Sequence, residues 1–415
     1  MKLFCNICEL LTLEKASKKE GRNITTNDLS VIKNGAILEE NGKIKKIGFE
    51  QDILTYIEKN NLKPEIEDCE DMVVLPGFVD CHTHPVFNCN RFWEFEKRIE
   101  GATYLEISKS GGGINSAIKG TRETSKELLK ESARKYFEAM LRQGTTTVEA
   151  KSGYGLSTKS EIKMLEAIKD LNEELPINLY STFLGAHAFP PEYKDNNEGY
   201  VELIIKEMLP QIKDLNLADF CDVFCDKGFF TNKQTEKIVT VAKDMGFKIT
   251  LHVDELEDTN GTALAVDLNV QSASHLLCIN EANIKKLSGS QTVGVMLPGT
   301  PFFLSINRYA PAKKLCDLGA QIAISTDFNP GSNMCYNMPL TMTMAALMQK
   351  MTLAQVIVGG TLMGAKALGI ESIAGSLEEG KNLDMALFDT SCYQEIFCHY
   401  GENHCKKVYI AGLLT

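Results

Sequence analysis

Two histidines one residue apart, His82 and His84, close the apolar run VVLPGFVDCHTH. On an extended chain that spacing puts both imidazoles on one face, a few ångströms apart, where they can converge on a single ion. Alone, His-x-His is a weak signal, and a surface pair would explain it. Here two further ligand types, His252 in KITLHVDE and Asp327 in QIAISTD, also end apolar runs. Neutral imidazole and carboxylate suit Zn²⁺ or Fe²⁺, and three His plus one Asp leave a position for water. An ion so held lowers the pKa of its water toward about 7 and makes a nucleophile at neutral pH. His275, at the end of QSASH, is placed to polarise an attacked carbonyl or to take a proton from that water. Asp327 can share the proton duty, and the residues alone do not divide it.

These side chains need a frame. From residue 78 the chain holds eight short apolar or β-rich runs: GFVDCHTH, TTTVEAK, YSTFLGAH, FCDVFCD, KITLHVDE, QSASH, TVGVMLP and QIAISTD. Helical patterns lie between them. KSEIKMLEAIKDLNEEL has apolar positions 162, 165, 168 and 171 on one face, and Thr158 with Glu161 reads as its capping box. Thr352 with Gln355 marks a later helix start in the same way. Strands alternating with helices mean a parallel sheet, and eight units predict an α/β fold of the (β/α)8, or TIM-barrel, type. The runs finish at His82 and His84, Glu149, His187, Asp226, His252, His275, Pro298 and Asp327. That is the rim where barrel enzymes carry their chemistry. His399 and His404 fall outside it and read as surface residues.

The two chain ends differ from the middle. LFCNICELLTL, VIKNGAILEENGKIKKIGF and MVVLP alternate apolar and polar residues, with hairpin signals at Asn34–Gly35 and Asn41–Gly42. AGSLEEGKNLDMALFD and CKKVYIAG repeat the style. We expect residues 1–75 plus 371–415 to form one small β-sandwich-like domain, interrupted by a barrel over 76–370.

Composition narrows the class. Of 415 residues, 44% are hydrophobic and 24% charged, which excludes disorder, and the net charge of −11 argues against nucleic-acid or anionic-membrane partners. No apolar run reaches the roughly 18 residues of a membrane span, and the N-terminus lacks a secretory core. Thirteen scattered cysteines read as reduced thiols of a cytoplasmic protein. Cys5 and Cys8 have C-x-x-C spacing without a second pair, so they read as strand residues, as do Cys221 and Cys225. Gly111–Gly113 is not a phosphate loop, since no G-K-[ST] follows; it reads as a mobile flap near the pocket. Trp93 and MPLTMTMAALMQKM read as packing residues.

VVLPGFVDCHTH, HVDE, the lone His275 and ISTDFNPGS together resemble the amidohydrolase superfamily of metal-dependent hydrolases. RFWEFEKRIEGATYLEI, SGGGINSA, EAKSGYGLS, STFLGAHAFPPEY, LPGTPFFL and TDFNPGS are similar to the imidazolonepropionases within it, from about residue 73 to 340. The resemblance implies a hydrolase that opens the cyclic amide C–N bond of 4-imidazolone-5-propanoate to N-formimidoyl-L-glutamate in L-histidine degradation. It implies one divalent metal ion per chain, Zn²⁺ or Fe²⁺, on His82, His84, His252 and Asp327, and a homodimer. Two-metal members use a bridging carboxylated lysine on the fourth strand, where Lys227 is the candidate; the single-metal pattern puts a substrate-binding histidine on the third, matching His187. Lys151 reads as a structural ion-pair partner.

The same resemblance gives Glu255, three residues after His252, the handling of a proton on a ring nitrogen. It supplies Arg91 as the guanidinium for the propionate tail, whose carboxylate it matches bidentately. Tyr154 and His187 suit the ring, and Tyr104 the tail. Asn329, Gly331 and Ser332, on the turn after Asp327, offer an amide, backbone N–H groups and a hydroxyl to the carboxylate that hydrolysis creates. A related single-metal deaminase of a guanine- or cytosine-like ring would share the ligands and His-x-x-Glu, but would release ammonia. A non-catalytic scaffold would have lost ligands, and all four candidates are present.

Overall fold

The computed structural model describes residues 1–89, 91–102, 106–107 and 110–415. Both chain ends build one sheet. Strands β1 (Lys2–Leu11), β2 (Val31–Glu40), β3 (Lys43–Phe49), β4 (Glu65–Asp68) and β5 (Val73–Pro76) come from the first end. Eight barrel strands follow, and β14 (Met385–Phe388), β15 (Cys405–Ile410) and β16 (Leu413–Leu414) return to the sheet. Its order is β16-β15-β14-β5-β1-β2-β3, with β4 beside β1. Three strand spacings separate β1 from β15, about 14 Å on a flat sheet. Yet Phe4 and Tyr409 meet edge to face with centroids 4.9 Å apart. The sheet therefore curls over a core that includes Ile37, Val74 and Leu387.

Asn41 and Gly42 both take positive φ, 54° and 80°, and join β2 to β3 as the sequence predicts. Asn34–Gly35 is different: it lies inside β2, with Asn34 at φ 51°. The expected second hairpin is absent there because Asn tolerates the left-handed region within a strand as well as in a turn. A Cβ on Gly35 would sit 2.9 Å from Leu10 of β1, so the position needs close approach rather than reversal.

The barrel strands are β6 (Phe78–Thr83), β7 (Thr145–Lys151), β8 (Asn178–Ala186), β9 (Phe220–Cys225), β10 (Lys248–Val253), β11 (Ser272–His275), β12 (Val293–Met296) and β13 (Ile322–Ile324). All pair in parallel, in sequence order, and each matches one of the eight runs. Burial on both faces explains why they read as continuous apolar runs. The seam between β13 and β6 is closed mainly beyond the end of β13. Asp327 N donates to His82 O at 3.0 Å and His84 N to Phe328 O at 2.8 Å. Buried Asp80 strengthens it, accepting from the Ser325 hydroxyl, Thr326 N (3.0 Å) and the Thr326 hydroxyl (2.6 Å). Closure thus brings Asp327 to His82 and His84.

The helix after β7 runs Thr158–Glu174, with Ser157 rather than Thr158 as its cap. Glu161 is fully buried and bonds elsewhere, so the expected capping box does not form. At Thr352 the box is present, with Gln355 as its partner. No helix among the described residues is long and apolar enough to cross a membrane.

Candidate metal centre and adjoining cavity

Strand alternation turns His82 and His84 to the same side, and β10 brings His252 to meet them. Their ring nitrogens lie within 4.8 Å of one another, and no other such group forms among the described residues. His84 Nε2 is 3.4 Å from His252 Nε2, and Asp327 Oδ1 is 3.5 Å from His84 Nε2 and 3.7 Å from His82 Nε2. Four ligands at about 2.1 Å from a tetrahedral ion would stand about 3.4 Å apart. The spacing fits. Burial, and then Lys151 and the neighbouring rings, hold His82 well below the ordinary histidine pKa; burial and then His187 do the same for His84. Both shifts favour the neutral ring, and His82 Nε2 is buried without a hydrogen-bond partner. Neutral imidazoles beside a carboxylate are the donor set of a divalent cation.

The far side of each ligand is held too. His82 Nδ1 lies 2.9 Å from Ser274 Oγ, and His252 Nδ1 lies 3.0 Å from Asp222 Oδ2. Thr300 donates its hydroxyl to Asp327 Oδ2. Such partners set ring tautomer and carboxylate orientation. Asp222 in turn meets Lys151 Nζ at 2.9 Å, and Lys151 reaches Glu149 Oε1 at 2.7 Å with its side chain 0% exposed. Burial works against ionising Asp222, but His252 and Lys151 hold it well below the usual carboxylate range. Lys151 is thus the ion-pair partner expected of it. Lys227 is exposed, pairs with Glu257 at 2.5 Å, and stands apart from the centre. Sequence reasoning missed Asp222, Ser274 and Thr300. A charged residue within the buried run of β9 was the available signal for Asp222.

Glu255 Oε2 lies 3.5 Å from His275 Nε2. Its backbone N–H donates to Asp226 Oδ2 at 2.7 Å, which fixes the loop carrying it. Burial first, then the Asp327 and Asp226 charges, push the Glu255 carboxyl well above its ordinary value. It is therefore poised to carry a proton. His275 and Asp327 have φ of 77° and 53°, strained values of the kind that collect at active sites.

A cavity of about 370 Å³ adjoins the centre, reached by Glu255, His275, Tyr154, His187, Arg91 and Arg98. That volume suits a small molecule. His187 Nδ1 is 3.0 Å from Gly153 O. A carbonyl only accepts, so Nδ1 carries the hydrogen, and Nε2 keeps a lone pair because burial pushes His187 down to about 3. Tyr154 is held by its loop: Glu161 accepts from Gly153 N (3.0 Å), Gly155 N (2.8 Å) and Leu156 N (2.7 Å). Asn329, Gly331 and Ser332 also reach the cavity, but the turn satisfies itself, with Asn329 Oδ1 taking Gly331 N and Ser332 N, both at 2.8 Å. Tyr104 lies outside the described residues. In the Gly111–Gly113 segment, Gly113 N donates to Glu94 Oε1 at 3.0 Å. The thirteen cysteines are free thiols, and Cys5 and Cys8 stand in β1 apart from any metal-type cluster among the described residues.

Residues 73–414 match the model of the amidohydrolase family. The chain is 41% identical over 407 residues to the imidazolonepropionase of Geobacillus sp. (strain WCH70), covering 98% of this chain and 96% of the relative. It is 42% identical over 413 residues to that of Fusobacterium nucleatum subsp. nucleatum, covering 99% and 97%. Among solved structures, an adenosine deaminase from Xanthomonas campestris superposes with a TM-score of 0.72 at 19% identity, covering 100% of this chain and 92% of that one. A guanine deaminase from C. acetobutylicum gives 0.68 at 16%, covering 100% and 99%. At these identities the two structures establish a shared fold.

Proposed function

The chain belongs to the amidohydrolase family and, within it, to the imidazolonepropionases, and from that premise we propose how its residues open the ring of 4-imidazolone-5-propanoate to N-formimidoyl-L-glutamate. The observation that carries the proposal is one cavity lined both by His84, His252 and Asp327 of the four-ligand cluster and by the guanidinium of Arg91. One divalent ion, zinc or iron, would be held by His82, His84, His252 and Asp327. When bound, it supplies an acidified water and a Lewis acid for the ring carbonyl.

The protein's own groups do the rest. Arg91 takes the propionate carboxylate, and the Tyr154 hydroxyl and His187 Nε2 hold the ring, Nε2 accepting from a ring N–H. His275 or Asp327 would take the proton that water gives up on adding to the carbonyl carbon. Glu255, kept protonated by burial, gives its proton to the ring nitrogen as the C–N bond breaks. Asn329, Gly331 and Ser332 face the new carboxylate once the turn releases them. Thirteen free thiols support a reducing, cytoplasmic setting.

The test is loss of imidazolone absorbance on adding metal-loaded protein, with N-formimidoyl-L-glutamate formed in equal amount. Ammonia release without ring opening would instead identify a deaminase. Elemental analysis finding two ions per chain would refute the single-ion centre.

A further inference from the structure

Arg91 does not meet the cavity as a free guanidinium. Glu94, one turn along the helix Phe92–Ile99, is 1% exposed although the helix lies at the surface. Its Oε1 accepts from Arg91 Nε at 2.7 Å and its Oε2 from Arg91 Nη2 at 2.8 Å. This is the fork geometry that fixes a guanidinium in plane as well as in place. The other face of Arg91 is fixed by the rim turn: a Cβ on Gly331 would stand 2.3 Å from Arg91 Nη1. Of the five guanidinium N–H bonds, Glu94 takes the one on Nε and one on Nη2. The edge left is Nη1 with the second Nη2 hydrogen, which is again a bidentate carboxylate edge.

Charge points the same way. Arg98 Nη2 lies 3.6 Å from Glu94 Oε2 and donates to Gly331 O at 2.7 Å. Arg98 thus braces Glu94 and the rim turn together, beside the guanidinium of Arg91. Gly113 N, also on Glu94 Oε1, ties the Gly111–Gly113 segment to the same carboxyl. Burial raises the Glu94 pKa, but the hydrogen bonds and charge of Arg91 more than offset it, so the group stays ionised.

We propose that Glu94 is a positioning residue for substrate recognition, holding the Nε edge of Arg91 so that the opposite edge faces the cavity and selects a ligand with one carboxylate tail. This rests on the assignment of Arg91 to the propionate tail, so the experiment separates the two ideas. Steady-state constants are measured for the wild type, Glu94→Ala and Arg91→Ala on the substrate and on the same substrate with its tail carboxylate converted to a neutral amide. With the carboxylate substrate, Glu94→Ala loses about 10- to 100-fold in kcat/KM, the range of a charge-assisted hydrogen bond, chiefly through KM. With the amide it stays within about twofold of the wild type. Equal losses on both substrates, or none on either, overturn the positioning role. If Arg91→Ala fails to discriminate between the two substrates, the tail assignment falls and takes this proposal with it. If only Glu94→Ala fails to discriminate, the tail assignment stands alone. Glu94→Gln, nearly isosteric, carries the same comparison should the alanine variant not fold.

Discussion

Thr300 donates its hydroxyl to Asp327 Oδ2, leaving Oδ1 turned toward His82 and His84. Thr300 sits in the helix after β12 and is itself buried. It therefore sets which carboxylate oxygen is turned toward the histidine cluster. Thr300→Val keeps the shape and removes the donor, so the carboxylate can rotate. Metal affinity should fall about 10- to 100-fold, as for other outer partners of metal ligands. Thr300→Ser should restore most of it. Metal retained after dialysis against graded chelator reads both variants.

Lys151 lies between Glu149 and Asp222, and all three are buried. Lys151→Met leaves two carboxylates without their counter-ion in a dry interior, at a cost of about 3–5 kcal/mol. Urea unfolding of the metal-free protein should show it. Adding Asp222→Asn should recover part of the loss, because the two sites share one partner. Purely additive losses would mean that Lys151 does not couple the strands as its distances indicate.

Why some of this was legible in the sequence and some was not follows from particular residues. His82, His84, His252, His275 and Asp327 stand at the ends of buried runs, and a parallel barrel gathers strand ends at one rim. Their convergence followed from topology alone. Asp222 and Lys151 also lie in such runs, but which charge answers which depends on strand register, and the sequence does not print register. Thr300 and Ser274 are short hydroxyl side chains, too common to mark. Glu161 carries the spacing of a capping box, yet its carboxyl turned back to the Ser152–Leu156 loop. Ser157, one residue earlier, took the cap. Asn34–Gly35 misled for a similar reason: the pair reports a left-handed residue, and β2 uses it inside the strand.

Glu161 carries a functional consequence through the loop it holds. Glu161→Ala leaves the N–H groups of Gly153, Gly155 and Leu156 without their acceptor. Each buried unsatisfied group costs about 1–3 kcal/mol, less where water enters. Tyr154 and the Gly153 carbonyl that orients His187 move together. KM should rise several-fold and Tm should fall. Unchanged KM in a destabilised variant would separate the loop from substrate binding.

Asp28 offers a pH test far from the centre. Burial raises its pKa, but Lys19 at 2.9 Å and the Thr25 N–H and hydroxyl, both at 2.8 Å, lower it further, so the net shift is downward. A folded pKa below the unfolded value of about 3.9 means stability present above that pH and lost as pH falls through the folded value. Asp28→Asn should therefore be less stable than the wild type at neutral pH. The gap in Tm should close on acidification below about pH 4, where the unfolded-state group begins to bind its proton. A gap independent of pH would assign the effect to hydrogen bonding alone.

Removing the metal should leave a folded protein. Burial favours the neutral rings of His82 and His84, and the contacts of Ser274 with His82 and of Asp222 with His252 involve no ion. Binding to the folded state alone adds RT ln(1 + [L]/Kd), about 4 kcal/mol at a thousandfold excess over Kd. Chelator should thus lower Tm by several degrees, and added Zn²⁺ or Fe²⁺ should restore it in a concentration-dependent way. In His252→Ala the same chelator should change Tm little, because the ligand set is already broken. A chelated wild type that unfolds outright would show that the centre closes the β13–β6 seam, where Asp327 N meets His82 O.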